Sequence, residues 1–352
     1  MNEDMKEILV IGGTGAQGRM VVKVLAQSKQ YRVRILTRNS KSSGAQDLAS
    51  LPNVTLMEGR QDNQKDLHRA FQGVYGAWVN TDGFSLNEKD ELFYGIRAYE
   101  IAQQEHVQHY IWASLPYTLK YGNWDEKYYA VHANSKGRIR DFVLAQGQEG
   151  MKSSILTTVP YMEMLLDGMF VPKEQTDGSF VWRNPATTGR IPLIALEDVG
   201  HYSLWLFDNI PESAGLDLKI ATEYVTFEDI VNTFTRVTHK KGIHKSLSLE
   251  EYLPLAEPFP NAPINWYAGP DVARDESTRL WRESISGFWR YWNEELDGFA
   301  NMDLLDRIHP NRIKSLEEWM EKVGYDGRMK PIMKGPEGLR REKMRSKRNS
   351  KL

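Results

Sequence analysis

A chain of 352 residues and 40.6 kDa, 41% hydrophobic and 26% charged, has the composition of an ordinary soluble globular protein and the length for a large core or two domains. The absence of cysteine excludes disulfides, zinc–thiolate sites, iron–sulfur clusters and cysteine nucleophiles, so redox chemistry requires a bound cofactor; no metal site is read from the sequence. There is no apolar run of the ~18–20 residues that span a bilayer and no signal-peptide pattern, which predicts a cytoplasmic protein.

The first element is decisive. Ile8-Leu9-Val10-Ile11 reads as a buried strand and enters Gly12, Gly13, Thr14, Gly15, Ala16 and Gln17, followed by Gly18 and a helix-compatible run to Gln27. Glycines at this GxxGxxG spacing let the backbone turn from strand to helix and approach a pyrophosphate closely. The helix N-terminus then offers it free N–H groups and a positive dipole end. The next strand is Val33–Thr37. Dinucleotide folds that use NAD place an acidic residue after this strand to accept hydrogen bonds from the ribose 2′-OH. Here stand Arg38, Asn39, Ser40, Lys41 and Ser42, with no carboxylate in sequence until Asp47. A guanidinium pairs with a 2′-phosphate, so the pattern favours NADP.

Further strands are predicted at Ile8–Gly12, Val54–Glu58, Gly76–Asn80, His109–Ala113 and Ser153–Val159, with helices at Gly18–Gln27, Asn63–Phe71, Glu88–Gln104 and Ala130–Ala145. This alternation predicts an α/β fold, a Rossmann-type doubly wound parallel sheet. Polar loops follow several strands: Gly59-Arg60-Gln61-Asp62, Asn80-Thr81-Asp82-Gly83 and Ser114. They converge on the carboxyl edge, where open α/β sheets bind ligands.

Beyond Pro160 the rhythm changes. A short edge strand is read around Ile191–Leu196, with Asp198 as the N-cap of the following helix. Capping boxes are expected at Thr226–Asp229, Ser248–Glu251 and Ser315–Glu318. Five of the ten tryptophans, Trp266, Trp281, Trp289, Trp292 and Trp319, fall in the C-terminal third and are expected to pack a smaller, mostly C-terminal α+β lobe. The organisation predicted is an NADP-binding domain over 1–159, with returning elements near 190–237, then a substrate or partner lobe over 160–327. A basic tail over 328–352 carries a net charge of +8 against −10 for the rest, and is expected to be disordered. Its Lys343-Met344-Arg345-Ser346-Lys347-Arg348 run could act as a nuclear-import signal. Nucleic-acid binding is the weakest reading, because basic charge is confined to this tail and no reading motif accompanies it.

In combination, IGGTGAQG, VRILTRNSKS, NVTLMEGRQDN, HYIWASL, NSKGRI, TTVPYMEML and SLEEWMEKVGY resemble the NmrA-like branch of the atypical short-chain dehydrogenase/reductase superfamily over residues ~5–327. The resemblance implies that Gly12–Gln17 cradle the pyrophosphate and Arg38–Ser42 the 2′-phosphate. It puts Arg60 and Gln61 beside the adenine and Thr81, Asp82 and Gly83 along the middle of the cofactor. Lys136 would reach the nicotinamide ribose, and Tyr161, Met162, Glu163 and Met164 would close over the nicotinamide. Typical superfamily members carry Tyr-x-x-x-Lys, and this chain has His132-Ala133-Asn134-Ser135-Lys136. Residues four apart share a helix face, so His132 and Lys136 are expected in one site, with Tyr128 a turn further back and Ser114 at a strand end. The catalytic candidates are therefore Lys136, His132, Tyr128 and Ser114. Family members include reductase-like enzymes, several in fungal specialised metabolism, and redox-sensing regulators. Three readings follow: an NADP(H)-dependent oxidoreductase acting on a small carbonyl- or imine-bearing molecule, a non-catalytic sensor that binds a protein partner such as a transcription factor, and a cyclase or condensing enzyme using NADP as scaffold or in a redox cycle.

Overall fold

The computed structural model describes residues 5–268, 274–296, 298 and 300–332. Its first half alternates β1 (Lys6–Ile11), α1 (Ala16–Gln27), β2 (Tyr31–Thr37), α2 (Ser43–Ala49), β3 (Val54–Glu58), α3 (Gln64–Phe71), β4 (Gly76–Val79), α4 (Glu88–Gln104), β5 (His109–Ser114), α5 (Thr118–Tyr121), α6 (Val131–Ala145) and β6 (Lys152–Thr157). These strands form a parallel sheet in the order β3-β2-β1-β4-β5-β6, and β10 (Asp217–Lys219) extends it beside β6. It is a Rossmann-type α/β fold. Helices cover both faces, so β1 can be apolar at every central position. Ile8 and Val10 join one hydrophobic cluster and Leu9 and Ile11 the other, as alternation across a strand requires.

Between β6 and β10 come α7 (Met164–Asp167), β7 (Lys173–Glu174), β8 (Phe180–Asn184), β9 (Ile191–Leu193), α8 (Leu196–Asp208) and α9 (Ile210–Ser213). After β10 follow β11 (Glu223–Val225), α10 (Phe227–Thr238), β12 (Gly242–Ser246), α11 (Leu249–Ala256), α12 (Trp281–Asn293), α13 (Met302–Ile308) and α14 (Leu316–Val323). A three-stranded sheet, β12-β8-β7, and an antiparallel β9–β11 pair make the smaller α+β lobe. Helix α8 returns to the large sheet, where Gly200 lies so close to α1 that a Cβ would sit 2.5 Å from the Met20 carbonyl. Among the C-terminal tryptophans, Trp289 and Trp319 are fully buried and Trp281 and Trp292 nearly so. Trp289 rings with Phe170, Phe227, Tyr252 and Phe288, the packing expected of it.

Local signals hold unevenly. Thr226 with Asp229, and Ser248 with Glu251, form reciprocal capping boxes. Ser315 caps Glu318 N, but the Glu318 carboxylate accepts from Lys314 N instead of closing the box. Asp198 is not an N-cap. Helix α8 begins after Ala195, and the buried Asp198 lies inside its first turn, pairing with His309 at 3.1 Å and accepting from Ile313 N. Burial drives this pair toward neutrality, raising Asp198 to about 7 and lowering His309 to about 4. The first residues of the basic segment, 328–332, pack against the lobe. Arg328 pairs with Glu174, Lys330 N donates to Leu166 O, and Ile332 N donates to Asp167. The remainder, including Lys343–Arg348, lies outside the described residues.

Candidate active site at the strand-order reversal

Strand order reverses between β1 and β4, and the crevice lies over their carboxyl ends. Gly12 sits there at φ +82°, where a Cβ would be 2.5 Å from Asn80 O at the end of β4. Gly18, in the first turn of α1, backs onto the same turn, and its Cβ would lie 2.2 Å from Gly12 O. The turn closes through Gly15 N to Gly12 O, 2.9 Å. Helix α1 then opens at Gly15 with no side-chain cap and no acidic residue in its first turn. Its leading N–H groups have no side-chain cap, and Gly13, Thr14 and Ala16 complete the turn. Gln17 Nε2 donates to Thr158 Oγ1 and Tyr161 Oη, leaving Oε1 a buried acceptor with no donor among the described residues. A glycine cradle, an uncapped helix and an orphaned acceptor fit a bound dinucleotide.

Across the crevice, Lys136 projects from α6 toward the end of β4. Its Nζ donates to Asn80 Oδ1 (2.9 Å) and to Thr81 O (2.9 Å) and Oγ1 (3.2 Å), and lies 3.3 Å from Glu91 Oε1. Glu91, on α4, is wholly buried. It accepts from Thr81 Oγ1 at 2.6 Å and from Ser135 Oγ, and a Cβ on Gly83 would clash with its Oε2. Desolvating a carboxylate costs several kcal/mol unless it is fully paired, and here a cation and two hydroxyls pair it. Glu91 thus fixes the Thr81-Asp82-Gly83 loop and Lys136 at once. Asp82 turns this loop by accepting from Phe84 N. Sequence reading missed Glu91, although a signal exists. It shares a helical face with Gly95, Ala98, Tyr99 and Ala102, an acid on an otherwise apolar stripe.

The other catalytic candidates fare differently. His132 does share the Lys136 face, buried against Phe84 (4.7 Å between ring centres) with Nδ1 3.4 Å from Ser284 Oγ. Burial, then the Lys136 charge, push it down to about 4, so the ring is neutral at pH 7 and supplies no imidazolium acid. Tyr128 is not on α6. It lies in a 3₁₀ turn over Glu126–Tyr128, and its hydroxyl donates to Glu294. The Ser114 hydroxyl is committed to backbone, at 3.2 Å from Leu115 O and 3.3 Å from Lys136 O.

Within Tyr161–Met164, only Tyr161 brings a polar head to the crevice, its hydroxyl 2.7 Å from Gln17 Nε2. Burial raises it to about 12, with the Gln17 hydrogen bond opposing, so it keeps its proton near neutrality. Met162 is fully buried and Met164 opens α7. Glu163 turns the other way: its carboxylate accepts from Leu196 N at the start of α8 and from Trp319 Nε1. Burial raises it to about 7, and it serves the junction of lobe and sheet.

At the far end of the crevice, Arg38 and Asn39 are exposed after β2, and Asn39 and Ser42 fold the loop into the start of α2. Arg60 pairs with Asp62, and its N–H donates to Asp66; Gln61 lies half-buried next to it. One carboxylate does enter this region. Glu58, paired in register with Thr37, accepts from Ser40 Oγ at 2.7 Å. Linear sequence placed the nearest acid at Asp47; adjacency of β2 and β3 brings Glu58 closer.

A family model, the NmrA-like family, matches residues 4–264. The chain belongs to the NmrA-like family. It is 26% identical over 258 residues to the NmrA-like family domain-containing oxidoreductase himF of Aspergillus japonicus, covering 69% of this chain and 76% of that one. It is 27% identical over 250 residues to the nitrogen metabolite repression protein nmrA of Emericella nidulans, covering 68% of each. The crystal structure of NmrA, a negative transcriptional regulator, in complex with NADP superposes with a TM-score of 0.68 at 20% identity, over 91% of this chain and 96% of that one. The fold is therefore that of NmrA. Among the described residues no cluster of His, Asp and Glu could hold a metal ion, and no helix is long and apolar enough to cross a membrane.

Proposed function

We propose that this NmrA-like protein binds NADP(H) in the crevice and acts as an oxidoreductase on a small carbonyl- or imine-bearing metabolite, of the kind made in fungal specialised metabolism. One observation carries the reading: the uncapped N-terminus of α1 and the anchored Lys136 ammonium meet at the reversal of strand order. Gly12–Gln17 would hold the pyrophosphate, Arg38, Asn39, Ser40, Lys41 and Ser42 the 2′-phosphate, and Arg60 and Gln61 the adenine. Thr81, Asp82 and Gly83 would line the middle, with Lys136 at the nicotinamide ribose. The names of himF, an oxidoreductase, and of the NADP complex of NmrA support the same reading.

When bound, a reduced nicotinamide supplies hydride. The chain must then supply a proton. His132 is neutral and Tyr128 and Ser114 are engaged elsewhere, so the role falls to Tyr161. Its hydroxyl accepts from Gln17 and has no acceptor for its own proton among the described residues. Lys136 orders the 81–83 loop through Asn80 and Thr81 and would hold the nicotinamide ribose in place.

A second reading, a dinucleotide-sensing regulator that binds a protein partner such as a transcription factor, draws on the missing tyrosine four residues before Lys136. Titrating the protein with NADP, NADPH and NAD, then following NADPH consumption over a panel of aldehydes, ketones and imines, separates the two. The oxidoreductase reading expects tighter NADP than NAD and consumption with at least one class. Binding without consumption, together with a stable protein complex, supports the regulator. A tenfold preference for NAD, about 1.4 kcal/mol, overturns the Arg38 argument.

A further inference from the structure

We infer that Glu58 is a specificity-determining residue, whose carboxylate opposes the 2′-phosphate of NADP and holds the cofactor preference of this site below what Arg38 and Lys41 would otherwise give. The inference rests on the dinucleotide reading above. Register pairs Thr37 with Glu58, so the carboxyl ends of β2 and β3 lie side by side and the Glu58 side chain meets the loop that follows β2. There Ser40 gives both its donors to the same oxygen, Oε2: its hydroxyl at 2.7 Å and its backbone N–H at 3.4 Å. The loop is otherwise bonded to itself. Lys41 N donates to Asn39 Oδ1, Ser42 Oγ to Asn39 O, and Gln46 Nε2 to Ser40 O. Arg38 is exposed, and no described residue pairs with its guanidinium.

The chemistry of this arrangement is a competition. A 2′-phosphate is an acceptor-only dianion and needs the Ser40 donors that Glu58 already occupies. A ribose 2′-OH can instead donate to the carboxylate, leaving the Ser40 bonds in place. The Ser40 bonds and the nearby Lys41 charge hold the Glu58 carboxyl below its ordinary range, so it is ionised wherever the protein would be assayed. Two cations and one anion therefore face the same ligand group, and their balance sets the NADP to NAD ratio.

Glu58→Gln tests this cleanly, because the amide oxygen still accepts from Ser40 while the charge is gone. Equilibrium titration of the full chain with NADP and with NAD is the measurement, repeated at low and high salt. The expected result is NADP tightened by about tenfold in Glu58→Gln, NAD changed less than about twofold, and a difference that shrinks at high salt. Arg38→Ala is expected to move the ratio in the opposite direction. An unchanged ratio in Glu58→Gln, with wild type binding both dinucleotides, overturns this inference and leaves the dinucleotide reading standing. Binding of neither dinucleotide by wild type overturns both.

Discussion

The two ends of the crevice use charge in opposite ways. At the β4–α6 end, Lys136 and Glu91 are buried, and each polar atom is matched by Asn80, Thr81 or Ser135. At the β2–β3 end, Arg38, Lys41 and Glu58 lie in water, and among the described residues only Ser40 hydrogen-bonds the carboxylate. Buried charges cannot be changed singly without exposing their partners to desolvation, so that end should be coupled to folding. Exposed charges are screened and independent, so the other end can tune selectivity while leaving the fold alone. We propose that one end makes the site and the other sets its preference.

The strongest way to break this comparison is Glu91→Ala. It leaves Lys136 buried without its anion and frees the 81–83 loop, and should cost about 3–5 kcal/mol in denaturant unfolding. A loss below about 1 kcal/mol would remove the contrast between the two ends. Tyr161→Phe should leave dinucleotide affinity nearly unchanged while reducing kcat by roughly 10²–10⁴-fold, the usual weight of a positioned acid. Equal effects on affinity and turnover would mean that the hydroxyl acts in binding. Arg38→Ala, at the exposed end, should weaken NADP by about tenfold with no change in unfolding midpoint.

The smallest effect concerns Glu163, at the junction with the lobe. Its carboxyl is raised in the folded chain to about 7 from an unfolded value near 4.5, so the unfolded state ionises first as pH rises. Stability should fall between pH ~4.5 and ~7 and level off above. Glu163→Gln, which keeps acceptors for Leu196 N or Trp319 Nε1, should flatten that slope by about 2–4 °C in Tm. A slope identical to wild type would show that other groups carry the pH dependence.

The large sheet was legible because strands buried on both faces read as unbroken apolar runs, and because only glycine fits the Gly12 turn against Asn80. Helix α2 was not anticipated; only Ala45 and Leu48 of it are buried, which leaves a weak apolar periodicity. Strand order, which no local pattern states, brings Glu58 to Ser40 and Glu91 to Lys136. Tyr128 failed for a local reason. Helical spacing was extended back through Ala130, where the chain breaks into a separate 3₁₀ turn. Glu163 was read with its neighbours in PYMEM, but its carboxylate instead meets the N-terminus of α8.

We propose that the crevice oxidises the NADPH it holds. NADPH carrying deuterium at the transferable position, incubated with the protein and the carbonyl and imine panel, tests it directly by mass spectrometry of the products. One deuterium is expected in the reduced product with wild type and little with Tyr161→Phe. Saturable NADPH binding with no deuterium in any product would contradict it and leave a sensor.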